Sequence, residues 1–266
     1  MTYPGRAEAR VELRRLLEAA RALVKRRQSS SDPGEVEKRE AEQRLAALLG
    51  RYFDRLAKKA AARLTKRPPA RQKVSYVEDE FDADFFDDGD FLAALAALLL
   101  AARNRGALLL ADVLGLELDL TAVNKEAVAA AREYAYDLVK DLTATARETL
   151  QTVISEFAAT PGMTLGDVID RLPFSEQRAA LIATTEITRA YATGQAAAGA
   201  ALAEQYPDVR VVKEWFTNVD DRVCPVCGPL HGEEVDEGEL FGGEFDGPPA
   251  HPGCRCWTAY RTRING

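Results

Sequence analysis

All four cysteines of the chain lie in two short stretches near its C-terminal end. The first is "CPVCG" at 224–228, and the second is "HPGCRC" at 251–256, which also contains one of the two histidines. In the first stretch, two thiols three positions apart can point at one ion, Pro225 fixes φ, and Gly228 lets the chain fold back. Because "HPGC" repeats this layout with His251 in place of a cysteine, the pair of stretches predicts a Cys3His zinc site.

The predicted zinc ligands are Cys224, Cys227, His251 and Cys254, with Cys256 as a fifth candidate. If 254–256 is extended, both of its sulfurs lie on one face, so Cys256 can replace either His251 or Cys254. A CxxC redox pair is an alternative, but it requires a βαβ context that the sequence does not show. Two disulfides are another, but they require an oxidising compartment, and the N-terminus shows no signal-peptide pattern. The spacing favours zinc.

The rest of the chain favours helices, and only the tail favours strands. Alanine and leucine dominate the first two hundred positions, which is typical of helices. After Pro207, "VRVVKEWFTN" alternates and is β-branched, and "GEEVD" and "CWTAYRTRI" are weaker strand candidates. A unit this small buries little apolar surface, so it needs a metal. The sequence therefore predicts an α+β fold, mostly α-helical in its N-terminal and central part, with a small C-terminal zinc-stapled β-rich module.

Four segments are predicted along the chain: a basic helical arm at 1–73, an acidic linker at 74–90, a helical domain at 91–206 and a zinc-binding module at 207–266. Apolar periodicity and capping residues predict helices over 6–27, 34–64, 91–114, 124–158 and 175–206, and a short helix capped by Thr164. The longest apolar run, at 91–102, is too short to span a membrane and indicates a buried helix. We therefore expect no membrane partner.

The net charge of −7 hides a strong asymmetry. Residues 1–73 carry 20 Lys/Arg and 9 Asp/Glu, whereas 74–90 carry 8 acids and no base. This layout is typical of a chain that contacts partners. The arm is either a solvated helical hairpin or an electrostatic contact for DNA or an acidic protein surface. The acidic run lacks the residue order of an EF-hand, so we expect a hinge that is disordered or ordered by a partner.

Three stretches together resemble the head-morphogenesis or minor capsid family of tailed phages, typified by phage Mu protein F. They are "TTEITRAYATGQ" (184–195), "EWFTNVDDRVCPVCGPLHG" (214–232) and "PPAHPGCRCWTAYRTRI" (248–264). The resemblance extends to "GMTLGDVIDRL" and covers about half of the chain. It implies a virion protein, assembled in the host cytoplasm, that acts at the portal vertex in procapsid assembly or in genome packaging or ejection. The implied partner is the portal protein, with major capsid protein, scaffolding protein and DNA as further candidates.

The resemblance also implies residues that dock the zinc-binding module. Glu186 and Arg189 are expected to tie the helix at 175–206 to the module, although residues at i,i+3 also form ordinary surface ion pairs. Trp215 is expected to pack on the flat strip that Ala190 and Gly194 leave on that helix.

Asp221 and Arg222, together with Asp220, are expected to fix the turn that enters the first cysteine stretch. No catalytic residue is predicted, because no second carboxylate or histidine accompanies these acids at a suitable spacing. The sequence also shows no P-loop, no Gly-rich dinucleotide turn and no Ser-His-Asp order. His231, where the family pattern has another residue, is not expected to be a ligand. The alternatives to a structural virion role are a zinc-bearing DNA-binding protein and a nuclease-like or ADP-ribosyltransferase-like enzyme.

Overall fold

A computed structural model of the protein describes residues 32–69, 76–115, 120–218 and 223–264. The helices in these ranges are α1 (Glu35–Lys66), α2 (Tyr76–Glu80), α3 (Ala83–Phe86), α4 (Gly89–Leu114), α5 (Leu120–Ala159), α6 (Leu165–Asp170) and α7 (Glu176–Gln205). The strands are β1 (Val209–Phe216), β2 (Glu234–Asp236) and β3 (Trp257–Ile264). The predicted α+β class is confirmed, since a mostly helical region precedes a small sheet. The helix predicted at 6–27 lies outside the described residues.

Helix starts follow the capping residues that the sequence provides. Thr164 forms a capping box before α6: its Oγ1 accepts from the N–H of Asp167 at 3.2 Å, and the Asp167 carboxylate accepts from the N–H of Thr164 at 2.7 Å. Ser175 precedes α7, and its Oγ accepts from the N–H of Arg178 at 3.2 Å. The predicted starts of both helices are confirmed.

By packing, the chain divides into two compact units that combine distant segments. One contains the described residues up to Ala41, Leu100–Ala127 and the chain from Thr184 onward; the other contains Glu42–Leu99 and Val128–Ala183. The four segments predicted along the chain remain a prediction about its linear organisation.

In the second of these units, α1 supplies much of the core. Leu45, Leu49, Phe53 and Leu56 of its predicted apolar stripe are all buried. Tyr52 stacks on Phe91, with ring centroids 3.9 Å apart and an interplanar angle of 3°. Because this face is buried, the second half of the basic arm is a core helix, and the predicted solvated hairpin is wrong for α1.

The acidic run is folded where it is described. Phe85 and Phe86 of α3 and Phe81 between the two short helices are buried, while four of the acids, Glu78, Asp79, Asp84 and Asp87, are exposed. Phe81 and Phe85 form an edge-to-face pair with centroids 5.0 Å apart. Lys59 Nζ lies 4.9 Å from the centre of the Phe85 ring, a cation–π contact. Of the two alternatives expected for this hinge, disorder does not hold for residues 76–88, whose aromatic rings are buried.

In the first unit, α4 and α7 cross at backbone contact. A Cβ added at Gly106 would lie 2.3 Å from the carbonyl oxygen of Tyr191, and one added at Gly194 would lie 1.9 Å from that of Arg103. Neither position has room for a side chain. The flat strip at Gly194 is thus occupied by α4.

The sheet is antiparallel, with strand order β2-β1-β3. Its inner face presents Val211, Lys213 and Trp215 of β1, with Tyr260 opposite Lys213 on β3. Val211 and Tyr260 pack in one apolar cluster with residues of α4 and α7: Ala107, Leu110, Leu114, Ala198 and Leu202. On the other face, Phe216 stacks on Trp257 with centroids 4.5 Å apart. The sheet is therefore held on its inner face by the same two helices that cross at glycine.

Among the described residues, α4 is the one helix long and apolar enough to cross a membrane, by length and composition alone. The apolar segment is thus longer than the run of 91–102 recognised in the sequence. Length and composition are weak evidence of a membrane span, because a helix in the core of a folded domain has the same properties. Leu95, Leu99, Leu110 and Leu114 of α4 are buried within the protein.

Candidate metal centre

Both cysteine-containing stretches form the turns that their sequences predict. In the first, the N–H of Gly228 donates to the carbonyl of Cys224 at 3.0 Å, and the N–H of Cys227 donates to the Cys224 sulfur at 3.3 Å. In the second, the N–H of Cys254 donates to the carbonyl of His251 at 3.1 Å. Gly253 has φ of 74°, a conformation that glycine adopts without strain. The turns aim side chains from two distant parts of the sequence at one point.

The donor atoms lie at metal-ligand spacing. His251 Nε2 is 3.0 Å from Cys224 Sγ and 3.3 Å from Cys227 Sγ, and the Cys227 and Cys254 sulfurs are 3.7 Å apart. Tetrahedral zinc, with bonds of about 2.0–2.3 Å, separates its ligand atoms by about 3.3–3.8 Å. The donors form two triads that share Cys227, one with Cys224 and His251 and one with Cys254 and Cys256. Within each triad the donor atoms lie within 4.8 Å of one another. These residues can bind a metal, and each of the five predicted ligands belongs to at least one triad.

The cysteines of the cluster differ in how readily they lose a proton. All four cysteines are free thiols. A hydrogen bond from Cys256 lowers the pKa of the Cys254 thiol to about 5, whereas burial, followed by the Cys254 charge, raises the pKa of Cys227 to about 12. A thiol must lose its proton to become a metal ligand, so a cation would displace protons from this cluster as it binds.

The imidazole of His251 is held in one orientation. Its Nδ1 lies 2.9 Å from the carbonyl oxygen of Pro252, to which it donates, and this bond raises the pKa of His251. Neutral His251 then presents an unprotonated Nε2 to the sulfurs of Cys224 and Cys227. A backbone carbonyl that fixes the tautomer in this way is typical of histidines that ligate metals.

The second turn is tied to α7 by a residue that sequence reasoning missed. The N–H of Gly253 donates to Thr185 Oγ1 at 2.9 Å. The predicted residue Glu186 follows directly; its carboxylate is buried and lies 3.4 Å from Arg189 Nε on the same helix. The ion pair at i,i+3 therefore forms, and the hydrogen bond from Gly253 to Thr185 ties the same helix to the metal turn. No sequence signal distinguished this threonine from its neighbours.

Trp215 packs within the module and not where the sequence predicted. Its ring is fully buried and lies edge-to-face with Phe241, with centroids 5.3 Å apart. The same apolar cluster contains Leu230 and three cysteines, Cys227, Cys254 and Cys256. The predicted packing of Trp215 on the strip at Gly194 is wrong, because cysteine sulfurs and Phe241 enclose the indole and α4 fills the strip.

Of the other residues singled out in this part of the sequence, only His231 is described by the structure. Asp221 and Arg222 fall within 219–222, outside the described residues. His231 belongs to neither triad. Its Nδ1 instead accepts from the N–H of Thr217 at 3.1 Å, and its ring lies edge-on against Phe216.

Together, fold and site define a helical protein that ends in a small sheet built around a Cys/His metal-binding cluster. The family model described as "Phage Mu protein F like protein" matches residues 148–259. Residues 148–259, from the end of α5 into β3, thus match the Phage Mu protein F-like family, and the resemblance inferred from the sequence is confirmed. The match implies a phage head morphogenesis or minor capsid protein. Searches of curated proteins and of solved structures found no match to the chain.

Proposed function

We propose that this chain is a minor capsid protein of a tailed bacteriophage that acts at the portal vertex, in procapsid assembly or in genome packaging or ejection. The supporting observation is the family match at 148–259, which includes α7, β1, β2 and both metal turns. On this proposal the protein resides in the virion, its direct partner is the portal protein, and major capsid or scaffolding protein is a further contact.

The proposed metal is zinc, and its proposed role is structural. Thiolates with an imidazole are a donor set that suits zinc. Cys224, Cys227, His251 and Cys254 would fill all four tetrahedral positions, with Cys256 as the alternative ligand. Such a closed site leaves no position for water or substrate, so the ion would hold the turns together and perform no reaction.

We further propose that the C-terminal module docks and does not catalyse. The side chain most suited to acid–base chemistry is His231, but its Nδ1 already accepts the backbone N–H of Thr217. The nearby carboxylate of Glu214 is paired with Arg261. Both arrangements support structural roles. No observation on the described residues favours the nuclease-like or ADP-ribosyltransferase-like alternative.

The basic arm is proposed as the contact for DNA or an acidic partner, through its first part. Residues 1–31 carry eight Lys/Arg and three Asp/Glu. A deletion that tests this contact should stop before α1, because α1 contributes to the core. Deleting residues 1–31 should therefore weaken DNA binding at low salt while the protein stays folded. If the deletion leaves DNA binding unchanged, the arm is not the contact for DNA. The result would then favour a DNA-binding surface on the zinc-bearing module.

Location in the virion tests the main proposal. A tagged copy of the chain, supplied to phage that lack it, should appear by cryo-electron microscopy at the single portal vertex of purified heads. His231→Ala is the matched control and should be incorporated normally, whereas Cys227→Ser should not. Label spread over all vertices, or heads without label, would contradict the portal assignment. Heads that contain His231→Ala protein but are not infectious would show that the module has a chemical role.

A further inference from the structure

Behind the sheet lies an ionic cluster that the metal centre does not use. Lys213, on the inner face of β1, is fully buried. Its Nζ donates to Asp246 twice, to Oδ1 at 2.5 Å and to the backbone oxygen at 2.8 Å. The same Nζ lies 5.4 Å from the centre of the Phe241 ring. The single ammonium is therefore committed to Asp246.

A second carboxylate, that of Glu237, lies in the same space, and one of its two oxygens has no hydrogen bond. Glu237 Oε2 is buried and has no hydrogen-bond partner among the described residues. It lies against α7 at a glycine: a Cβ added at Gly199 would be 2.9 Å from this oxygen and 3.3 Å from the ring of Tyr260. The carboxylate thus occupies the space that a side chain on α7 would fill.

The charges around Glu237 do not balance. Lys213 on β1 attracts its negative charge, Asp246 repels it, Tyr260 on β3 faces it, and α7 presents Gly199, which has nothing to titrate. Two carboxylates therefore share one ammonium in a partly buried site. Burial is the largest cause that raises the pKa of Glu237, to about 6, and the attraction of Lys213 opposes it.

We propose that Glu237 is a proton-operated clasp for the segment 237–246, closed when its carboxyl group is neutral and loosened when it is ionised. The segment matters because it carries Phe241, whose ring packs on Trp215 in the same cluster as the cysteines. The backbones of its two aromatic residues are also hydrogen-bonded: the N–H of Phe241 donates to the carbonyl of Phe245 at 2.8 Å. The clasp therefore controls how tightly the metal centre is covered. It does not depend on which metal is bound.

The direction of the effect follows from linkage. A carboxyl group whose pKa is higher in the folded than in the unfolded protein binds its proton more tightly when folded, so stability rises as pH falls from 7.5 through 6. The gain is complete only below the unfolded value of 4.5. A shift of this size corresponds to about 30-fold in the unfolding constant, which partial exposure reduces to about tenfold.

The test compares metal-loaded wild type with Glu237→Gln, a neutral side chain of the same shape, and with Glu244→Gln, an exposed control on the same segment. Urea unfolding at pH 7.5 should show an unfolding constant about tenfold lower for Glu237→Gln, and the difference should shrink through pH 6 and vanish below pH 4.5. Glu244→Gln should match wild type throughout. A difference that is the same at both pH values, or a destabilised Glu237→Gln at pH 7.5, would overturn the clasp.

Two direct readouts keep the test decisive even if the variant folds poorly. In wild type, the carboxyl ¹³C resonance of Glu237 should titrate near pH 6, and a midpoint at or below 4.5 would refute the proposal. Hydrogen exchange of the Phe241 and Phe245 amides, corrected for the intrinsic rate, should be more protected at pH 5.5 than at pH 7.5. Equal protection at both pH values would show that the segment does not respond to the proton.

Discussion

The acidic segment at 76–91 and the sheet module at 209–264 both lack long apolar runs, yet each is ordered by a different means. The acidic segment buries several aromatic rings, and two cations of α1, Lys59 and Arg63, lie over one of them, Phe85. The module gathers thiols and an imidazole around one point and encloses a single tryptophan beside them. On the proposed function, a polar segment can therefore be held by packing alone or by a metal bound to a ligand cluster, and only the second leaves a spacing pattern in the sequence.

Removing the metal should give the largest effect and separate the two regions completely. In small zinc domains the apparent binding free energy is about 10–16 kcal/mol, and it acts as folding free energy. We expect about one zinc per chain by elemental analysis, and loss of hydrogen-exchange protection in 209–264 after chelation or Cys227→Ser. Protection of 76–91 should not change.

His231→Ala is the control for this experiment and should retain the metal, because His231 belongs to neither triad. Protein that is free of zinc when freshly prepared under reducing conditions, yet keeps a protected module, would show that the cluster is held by packing like the acidic segment.

Matched aromatic truncations compare the two interiors directly. Trp215→Ala and Phe85→Ala each remove a fully buried ring and should each cost about 3–5 kcal/mol in denaturant unfolding. Only Trp215→Ala should also speed loss of zinc to a chelator, because its ring packs against the cysteines. Trp257→Ala, a partly exposed ring, should cost less than either. If Phe85→Ala loses zinc as fast as Trp215→Ala does, the proposed difference between the two regions is wrong.

Glycine substitutions test how closely the helical part is packed. Gly194→Ala places a methyl group against the backbone of Arg103 and should destabilise by about 1–3 kcal/mol or more. Gly50→Ala is the control, because nothing lies within 4 Å of its added Cβ, and it should stabilise α1 by up to about 1 kcal/mol. Thermal unfolding distinguishes the two signs. A neutral Gly194→Ala would show that the crossing of α4 and α7 can open at little cost.

The smallest effect concerns pH, where the two regions should respond in opposite directions. Asp88 Oδ1 accepts from the N–H of Phe91 at 2.8 Å at the start of α4. Burial acts to raise the pKa of Asp88, but this hydrogen bond and Arg55 outweigh it and lower the pKa. Its stabilisation is therefore present above the ordinary value of 3.8 and is lost as pH falls through the lowered pKa, the reverse of Glu237. Asp88→Asn should cost about 0.3–1 kcal/mol at pH 7, because it removes the negative charge beside Arg55 and the start of α4. The cost should shrink as pH falls below 3.8, and a cost that does not change with pH would contradict this.

The sequence predicted those features whose signals are local. Thr164 and Ser175 marked helix starts, alternation marked β1, and the spacing of Cys224, Cys227 and His251 placed donors that the fold then brought together. The rings of the acidic run went unrecognised because eight acids in 74–90 dominated its composition. The surroundings of Trp215 and the contact of Thr185 with Gly253 depend on which distant segments meet, and no local pattern records that.

The glycine crossing of α4 and α7 has a consequence for recognising distant relatives. Gly106 and Gly194 can accept no side chain without separating two backbones, whereas the donor set already holds one candidate ligand more than a tetrahedral ion requires. A lineage could lose either Cys254 or Cys256 and still keep four candidate donors, but it could not enlarge either glycine without separating the two backbones. The two glycines are thus a stricter signature of this architecture than either of these two cysteines.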